Sequence, residues 1–253
     1  MKILLIGGSG MVGSFITPYL KKYHQVKVFD LIEPKYSDVE FMKGSVTNYN
    51  EISKAFKNVD TFINLTMKNP QGGSKTTQTP EDITNNYDLN TKGLHMVLYA
   101  AQEKGVLKGV HTSTMSVHYR KRDYYRSEED TLKDTPSVYG LTKSFGEDIC
   151  NYFCRWFGMN IVALRITGPR SDENWKREIK NNLDKNPDGS RLWITHESDL
   201  ASAYLASIKY TNNGNNRFDS IFIAGDPDNT EHNLSKALHL LDWRPIMDPR
   251  EYR

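Results

Sequence analysis

The chain has 253 residues, of which 38% are hydrophobic and 25% charged, and its formal net charge is +2. This is ordinary globular composition, and the nearly balanced charge gives no electrostatic reason to expect nucleic acid or an anionic membrane as a partner. No apolar run reaches the roughly 18 residues of a membrane span, and the apolar start is too short for a secretory signal. We therefore expect a cytoplasmic protein.

Strand and helix patterns alternate along the chain. Short apolar runs predict strands at 3–6, 26–29, 40–42, 61–65, 109–112, 160–165 and 221–224. Apolar residues at helical spacing predict helices at 11–22, 52–56, 83–104, 137–157, 198–210 and 234–241, and the polar stretch 69–80 is typical of a loop. Such alternation implies crossover connections, so we expect an α/β fold with a doubly wound parallel sheet, as one domain over 1–253.

A glycine-rich turn follows the first predicted strand. Gly7, Gly10 and Gly13 have the spacing GxxGxxG, and Met11 and Val12 open the next helix. Glycines let the backbone approach a pyrophosphate, and a helix N-terminus supplies free N–H groups and partial positive charge. A strand before the motif and a helix after it are the context of a dinucleotide-binding, Rossmann-type loop.

An acidic residue stands where the second predicted strand ends. Asp30 lies 17 positions after Gly13, with no arginine directly behind it. A carboxylate there accepts hydrogen bonds from the adenosine ribose and repels the 2′-phosphate of NADP. The pattern predicts NAD as cofactor and makes NADP less favoured.

A tyrosine and a lysine form the predicted catalytic pair. Tyr139 and Lys143 are four apart in a predicted helix, so they share one face. A free tyrosine has a pKa of about 10, and a nearby cation favours its phenolate. Thr114, at the end of the fifth predicted strand, would point into the same cleft. YxxxK alone occurs often by chance, so the assignment depends on the neighbouring motifs.

The combination resembles the extended short-chain dehydrogenase/reductases, the group of NAD-dependent sugar epimerases, dehydratases and dehydrogenases. Further similarities are Asn90 in Asn-Thr-Lys-Gly, Leu-Arg-Ile-Thr-Gly-Pro-Arg at 164–170, Ser-Asp-Leu-Ala at 198–201 and Leu-Asp-Trp-Arg-Pro at 241–245. Among short members, Tyr-Gly-x-x-Lys-x-Phe-Gly-Glu at 139–147 is most similar to the uronate dehydrogenases.

The resemblance implies a role for each matching residue. Tyr139 would be the acid/base, Lys143 would lower its pKa and hold the ribose, and Thr114 would orient the substrate hydroxyl beside Met115 and Ser116. The remaining cofactor contacts implied are Ser45, Val46, Leu65, Thr66, Asn90 and Ile166. Two departures are Gly-Ser-Val at 44–46, where the family has Gly-Asp-Leu or Gly-Asp-Val, and Asn-Leu-Thr at 64–66, where it has His-Leu-Ala.

The spacing near the C-terminal side bears on the substrate. Only the 28 residues 171–198 separate Arg170 from Asp199, too few for a lobe with its own core. We expect 166–200 and 225–253 to form a small substrate-binding appendage. The resemblance implies oxidation of a sugar or sugar acid by NAD, and either Arg191 or Arg170 would clamp an acidic group.

Two other functions remain open at this stage. The first is a redox-neutral nucleotide-sugar epimerase or dehydratase with tightly bound NAD; Met115, where a dehydratase would want an acid, counts against the dehydratase. The second is a non-enzymatic dinucleotide sensor, against which the Tyr/Lys pair counts. The resemblance also implies a homodimer through the helices that start near 86 and 137.

No metal site is expected from the two cysteines. Cys150 and Cys154 lie four apart on one predicted helical face, without a CxxC or His-rich partner nearby. The pattern is typical of reduced, packed thiols. Acidic residues at 128–130 balance the charge of the basic run at 120–122, which favours a solvated loop.

Overall fold

The computed structural model describes residues 1–68, 78–119, 122–185, 191–214 and 216–252. Its strands are β1 (Lys2–Ile6), β2 (Gln25–Asp30), β3 (Glu40–Lys43), β4 (Thr61–Asn64), β5 (Lys108–Thr114), β6 (Asn160–Ile166), β7 (Gly168–Arg170), β8 (Ile194–His196) and β9 (Phe218–Ile223). Seven form a parallel sheet in the order β3-β2-β1-β4-β5-β6-β9, and β7 pairs with β8 separately. The carboxyl ends of β1, β4, β5 and β6 therefore meet at one edge.

Helices cover both faces of this sheet. They are α1 (Met11–Leu20), α2 (Tyr49–Ala55), α3 (Pro80–Tyr87), α4 (Leu94–Glu103), α5 (Val138–Phe157), α6 (Asp172–Lys180), α7 (Glu197–Asn212) and α8 (Ser235–Leu241). Helices α1, α7 and α8 contribute to one apolar core, and α2, α4 and α5 to the other. Strands buried on both faces form continuous apolar runs in the sequence. The strands of the sheet could therefore be predicted from such runs. The expected doubly wound α/β fold is confirmed.

The predicted helix at 83–104 is interrupted in the structure. A π-helical segment, Asp88–Gly93, separates α3 from α4. It carries the buried Asn90, whose Nδ2 donates to Asn86 Oδ1 and to Thr142 Oγ1 on α5, both at 3.0 Å. A Cβ on Gly93 would lie 2.8 Å from Val46 Cγ2, so this wide turn packs tightly. Apolar spacing does not report such a bulge.

The region after β6 contains elements that the sequence pattern did not predict. Strands β7 and β8 and helix α6 form a small layer there, packed around Trp175, Ile179 and Ile194. Strands β7 and β8 have only three residues each, too few for an alternating pattern to be recognised. Helix α6 is amphipathic, with Trp175 and Ile179 buried, and was missed. Of the loop expected at 69–80, residues 69–77 lie outside the described residues, and α3 begins at Pro80.

The described residues contain neither a membrane-spanning helix nor a cluster of metal-binding side chains. In those ranges no helix combines the length and the apolar character needed to cross a membrane. The same ranges hold no group of three or more His, Cys, Asp or Glu side chains placed to bind a metal.

Cys150 and Cys154 are both free and buried, and burial raises the pKa of the Cys154 thiol to about 12.

A buried ion pair fixes α5 against the sheet. Glu147 on α5 and Arg165 on β6 are joined by two hydrogen bonds, Nε to Oε1 at 2.8 Å and Nη2 to Oε2 at 2.7 Å. Ser113 Oγ on β5 donates to Glu147 Oε1 at 2.6 Å. Arg165 Nη1 also donates to the Glu128 carbonyl at 3.0 Å and lies 3.2 Å from His118 Nε2. The pair thus joins α5, two strands and the segment between β5 and α5.

Replacing this carboxylate should destabilise the protein strongly. Glu147→Gln leaves the Arg165 charge buried without a counter-ion, so the free energy of unfolding should fall by about 3 kcal/mol or more. Urea unfolding followed by circular dichroism measures it. Asp148→Asn is the control, because Asp148 is 65% exposed and pairs with Lys133 at the surface; it should cost less than about 1 kcal/mol. Equal losses for the two variants would contradict the role of the pair.

Candidate active site

The glycine loop forms a closely packed cradle at the carboxyl end of β1. Gly7 has φ +77°, and a Cβ there would lie 2.9 Å from Thr66 N. A Cβ on Gly13 would lie 2.1 Å from the Gly8 carbonyl oxygen, so α1 packs directly on the turn. Gly10 is the N-cap of α1 and provides no side-chain cap. The N-terminal N–H groups of α1 are therefore not covered by a capping side chain, as an anion site requires.

Asp30 holds this loop from the end of β2. Its Oδ2 accepts the Ser9 N–H at 3.0 Å, and its Oδ1 accepts the Leu31 N–H at 2.7 Å. Ser9 Oγ donates to the Ile32 carbonyl at 2.7 Å. The carboxylate thus lies beside the glycine turn, where the ribose of a dinucleotide would be. It also ties the turn to β2, a contact that the sequence motif does not reveal.

One buried polar atom beside the cradle lacks a partner. Thr66 Oγ1, just after β4 and next to Gly7, has no hydrogen-bond partner among the described residues. An unpaired buried polar atom is costly, so this hydroxyl fits a site that a polar ligand completes. Asn90 Oδ1, in the π-helical segment, is also unpaired, but Asn90 does not line the cavity. Ser45 is already engaged, since its N–H donates to Glu51 Oε2 at 2.8 Å and its hydroxyl pairs with Thr47.

A cavity of about 540 Å³ opens at the same edge of the sheet. The sequence-predicted residues that line it are Met11, Val12, Leu65, Thr114, Met115, Ser116, Tyr139, Ile166 and Arg191. It is also lined by residues that sequence reasoning did not single out, among them Met67, Asp123, Tyr125, Trp193, Glu231 and His232. The glycine loop, the Tyr/Lys helix and the segment after β6 therefore share one cleft.

Tyr139 lines this cavity from the first turn of α5. Ser137 caps the helix by accepting the Gly140 N–H at 3.0 Å. The phenol is 7% exposed and donates to Met67 Sδ at 3.5 Å. Burial raises the pKa of Tyr139 to about 12, against the opposing hydrogen bond with Thr114. The isolated pocket therefore makes Tyr139 a weak acid, and a nearby positive charge is needed to ionise it near neutral pH.

Lys143 lies one turn further along α5 and is 1% exposed. Burial lowers the pKa of its ammonium to about 8, against the opposing charge of Glu147 on the next turn. Its Nζ lies 3.5 Å from His111 Nε2. Tyr139 and Lys143 are four apart on one side of α5, but of the two only Tyr139 lines the cavity.

The structure separates the two candidate arginines. Arg170 on β7 is paired with Glu178, with Nε 2.8 Å from both carboxylate oxygens, and it does not line the cavity. Arg191 does line it, and its guanidinium stacks on Trp193 at 3.9 Å from the ring centroid. Arg191 therefore brings a positive charge to the cavity on an aromatic support.

The basic run at 120–122 is only in part what the sequence indicated. Arg122 lines the cavity and pairs with Asp134, Nη2 to Oδ2 at 2.6 Å, rather than with the acids at 128–130. Arg120 and Lys121 lie outside the described residues. The pairing depends on how the segment between β5 and α5 folds back, which charge counting cannot show.

Three aromatic rings line the cavity opposite the sheet edge. Tyr125 and His232 are stacked, with ring centroids 5.0 Å apart and planes at 9°, and Trp193 meets His232 edge-on at 5.5 Å. His232 Nδ1 lies 3.3 Å from Asp226 Oδ2, which also accepts the His232 N–H at 2.9 Å. The rings come from three distant segments, so no local pattern could have predicted them; the only signal was aromatic residues in predicted loops.

The parallel sheet and the glycine turn beside the cavity define a Rossmann-type protein whose cleft suits a dinucleotide. Residues 3–223 match the family model described as NAD dependent epimerase/dehydratase family. The chain belongs to this family. The predicted family and NAD as its cofactor are thereby confirmed.

Curated relatives include both oxidoreductases and epimerases. The chain is 28% identical to 3-beta-hydroxysteroid dehydrogenase of Mycolicibacterium neoaurum, over 72% of this chain and 52% of the relative. It is 26% identical to the uncharacterized UDP-glucose epimerase YtcB of Bacillus subtilis, over 97% and 93%. It is 25% identical to uronate dehydrogenase of Pseudomonas syringae, over 65% and 58%. The chain thus spans about half the length of the first curated relatives it matches.

A solved structure supports the fold. A mutated uronate dehydrogenase superposes with a TM-score of 0.77 at 19% identity, covering 100% of this chain and 84% of that chain. At this identity the likeness concerns the fold alone.

The charge on Asp30 should control the choice between NAD and NADP. Asp30→Asn keeps one oxygen for the neighbouring N–H groups and removes the charge, so NAD should bind about tenfold more weakly and the preference over NADP should narrow. Calorimetric titration with each dinucleotide measures both effects. Asp38→Asn is the control, because that 65% exposed carboxylate pairs with Lys21 outside the loop. An unchanged NAD/NADP ratio would contradict the assignment.

Proposed function

We propose that the chain is an NAD-dependent dehydrogenase that oxidises a hydroxyl group of a free sugar acid, and of free aldoses less well. The observation that carries this proposal is Arg191, which stacks on Trp193 in the wall of the cavity that Tyr139 also lines. A guanidinium packed against an indole ring is a cation that can bind a carboxylate. The uronate dehydrogenase among the relatives supports this substrate class.

The size of the cavity supports a small substrate. Ligand pockets commonly span about 300–1,000 Å³, and this one has about 540 Å³. Part of that volume lies beside Met11, Val12 and Leu65, next to the glycine loop, where the nicotinamide end of the cofactor belongs. What is left suits one sugar ring better than a sugar joined to a nucleotide.

The side chains supply binding, orientation and one proton transfer. The Gly7–Gly13 turn and Asp30 would hold NAD, which when bound supplies the hydride acceptor. Thr114 Oγ1 orients the substrate hydroxyl towards Tyr139, and the Tyr139 oxygen takes its proton. Lys143 contributes the positive charge that favours the phenolate and a donor for the ribose.

The appendage expected at 166–200 and 225–253 is proposed to form the substrate side of the site. From the first segment come Gly168, Pro169, Leu192 and Trp193, and from the second Glu231 and His232. The stacked rings of Tyr125 and His232 offer an apolar surface to the C–H groups of a sugar. Residues of the appendage would thus determine substrate specificity, while residues at the sheet edge would carry out the proton transfer.

A redox-neutral epimerase on a nucleotide sugar is the second candidate. YtcB of Bacillus subtilis aligns over nearly the full length of both chains, which favours this alternative. Its catalytic residues would be the same, so the substrate and the fate of NADH separate the two.

A substrate panel tests the proposal directly. The protein with NAD is mixed with free uronic acids, free aldoses, UDP-glucose and UDP-glucuronic acid, and NADH absorbance and product isomers are followed together. We expect NADH in proportion to a uronic acid, and Tyr139→Phe should lower turnover at least about 100-fold with NAD affinity within a few-fold. A new isomer without NADH would establish the epimerase instead, and NAD binding without any turnover would favour a dinucleotide sensor.

The two arginines provide matched variants for the same assay. Arg191→Gln should raise KM for the uronic acid about 10- to 100-fold and leave the neutral aldoses unchanged. Arg170→Gln should leave both unchanged, since that guanidinium pairs with Glu178 away from the cavity. An equal effect on acidic and neutral sugars would exclude Arg191 as the carboxylate clamp.

A second copy of the chain is the proposed partner. Helix α5 exposes a stripe of apolar residues at helical spacing, namely Leu141, Phe145, Tyr152 and Trp156, at 38%, 39%, 43% and 69%. Tyr87 and Tyr99, from the elements packed beside it, extend the patch at 41% and 43% exposed. A patch of this kind is typical of an interface, and it supports the homodimer through these helices.

Sedimentation velocity tests the dimer. Phe145→Glu should convert it to monomer, because a charge would be buried at the centre of the patch. Ile246→Glu should leave the dimer intact, since Ile246 is equally apolar and 72% exposed but lies in the C-terminal segment. A parent protein that sediments as a monomer would refute the proposal.

A further inference from the structure

The buried ammonium of Lys143 rests against a histidine that the proposed mechanism does not use. His111 is in the middle of β5, is 1% exposed, and has Nε2 3.5 Å from Lys143 Nζ. On the opposite side, its Nδ1 lies 3.3 Å from Nδ2 of Asn64, its neighbour across the β4–β5 pairing. Asn64 is also 1% exposed. The three side chains form a buried row that ends at the ammonium.

The surroundings of His111 favour the neutral form of its imidazole. Burial, and then the nearby charge of Lys143, hold the pKa of His111 well below its ordinary value. A neutral ring has one N–H and one lone pair. The amide of Asn64 can present its NH₂ group, as here, or its oxygen to Nδ1, so either tautomer of His111 has a partner. Nε2 accepts from the Lys143 ammonium in the tautomer that carries its proton on Nδ1, and in that tautomer the Asn64 amide presents its oxygen to Nδ1.

The other charged groups around Lys143 are occupied or distant. On α5, Glu147 is held by Arg165 and Ser113, and Cys150 is a buried thiol. From β4 only the uncharged Asn64 faces the row. Among the described residues, His111 is the one side chain within hydrogen-bonding distance of Lys143 Nζ.

Packing from α5 leaves room for the ring. A Cβ on Gly146 would lie 3.3 Å from His111 Nε2, 3.2 Å from the Asn90 carbonyl oxygen and 3.1 Å from Leu94 Cδ2. Any larger residue would press on the imidazole, so the glycine lets His111 stand beside Lys143.

We propose that His111, supported by Asn64, is a positioning residue that keeps the Lys143 ammonium charged and directed at Tyr139. The inference rests on the proposed function only in assigning the Tyr139–Lys143 pair to catalysis. Without His111 the buried ammonium would lose its hydrogen bond, would give up its proton more readily, and would support the Tyr139 phenolate less.

The test replaces the imidazole with an apolar ring and then restores a polar atom. His111→Phe keeps the ring shape without a nitrogen, and His111→Gln places an amide near the position of Nε2. In NAD-saturated protein, the near-ultraviolet phenolate absorbance is titrated with pH, and subtraction of the same protein carrying Tyr139→Phe isolates Tyr139. We expect His111→Phe to move this titration about one pH unit or more upwards, which is about tenfold in the ionisation constant, and His111→Gln to recover part of the shift.

The outcomes separate this inference from the proposed function. If His111→Phe titrates like the parent, the inference is wrong, even when the variant is less stable. If Tyr139 gives no titration in the parent, both proposals fail; if the shift occurs but no sugar is oxidised, only the proposed substrate fails. Should His111→Phe not fold, Gly146→Ala, which displaces the ring while retaining it, should move the titration in the same direction, and no movement would refute the inference.

Discussion

The site depends first on the buried pair between Glu147 and Arg165. Removing two charges from water costs several kcal/mol per ion, and the cost is offset only when the geometry is good and the remaining donors and acceptors are satisfied. Here Ser113 and the Glu128 carbonyl complete the set. Because these contacts join α5 to β5 and β6, they set the height of α5 above the sheet edge. The Glu147–Arg165 pair therefore also fixes the positions of Tyr139 and Lys143 on α5.

The same pair keeps the Glu147 carboxylate engaged with Arg165 instead of with Lys143. Glu147 is one turn from Lys143 and would neutralise it, but its two oxygens are engaged by Arg165. The Lys143 ammonium is left with the His111 imidazole as partner, and burial lowers the pKa of Lys143 to about 8. Four residues before Lys143, and so on the same side of α5, stands the Tyr139 phenol, whose pKa burial raises to about 12. Burial thus raises the pKa of the Tyr139 phenol and lowers the pKa of the Lys143 ammonium.

Features encoded by short stretches of sequence could be predicted. The strands of the sheet, the Gly7–Gly13 turn, Asp30 and the i, i+4 pair on α5 each need only local spacing, and the family followed from their combination. The π-helical segment, the layer after β6 and the rings of the cavity depend on contacts between distant segments. His111 looked like one more strand residue, because only the β4–β5 register places it beside Asn64 and Lys143. Choosing between Arg170 and Arg191 likewise required knowing that Glu178 lies next to the first.

The wall of the cavity bears on the difference between dehydrogenase and epimerase. An epimerase returns the hydride to the opposite face of the same carbon, so the sugar has to turn over while its anchor stays bound. A nucleotide provides such an anchor outside the active site, whereas a carboxylate gripped by Arg191 would be attached to the reacting ring itself. A clamp that close to the reacting carbon fixes which face meets Tyr139 and opposes rotation. On the proposed function, Arg191 and Trp193 would therefore favour one hydride transfer followed by release of the oxidised sugar acid over a cycle that restores NAD.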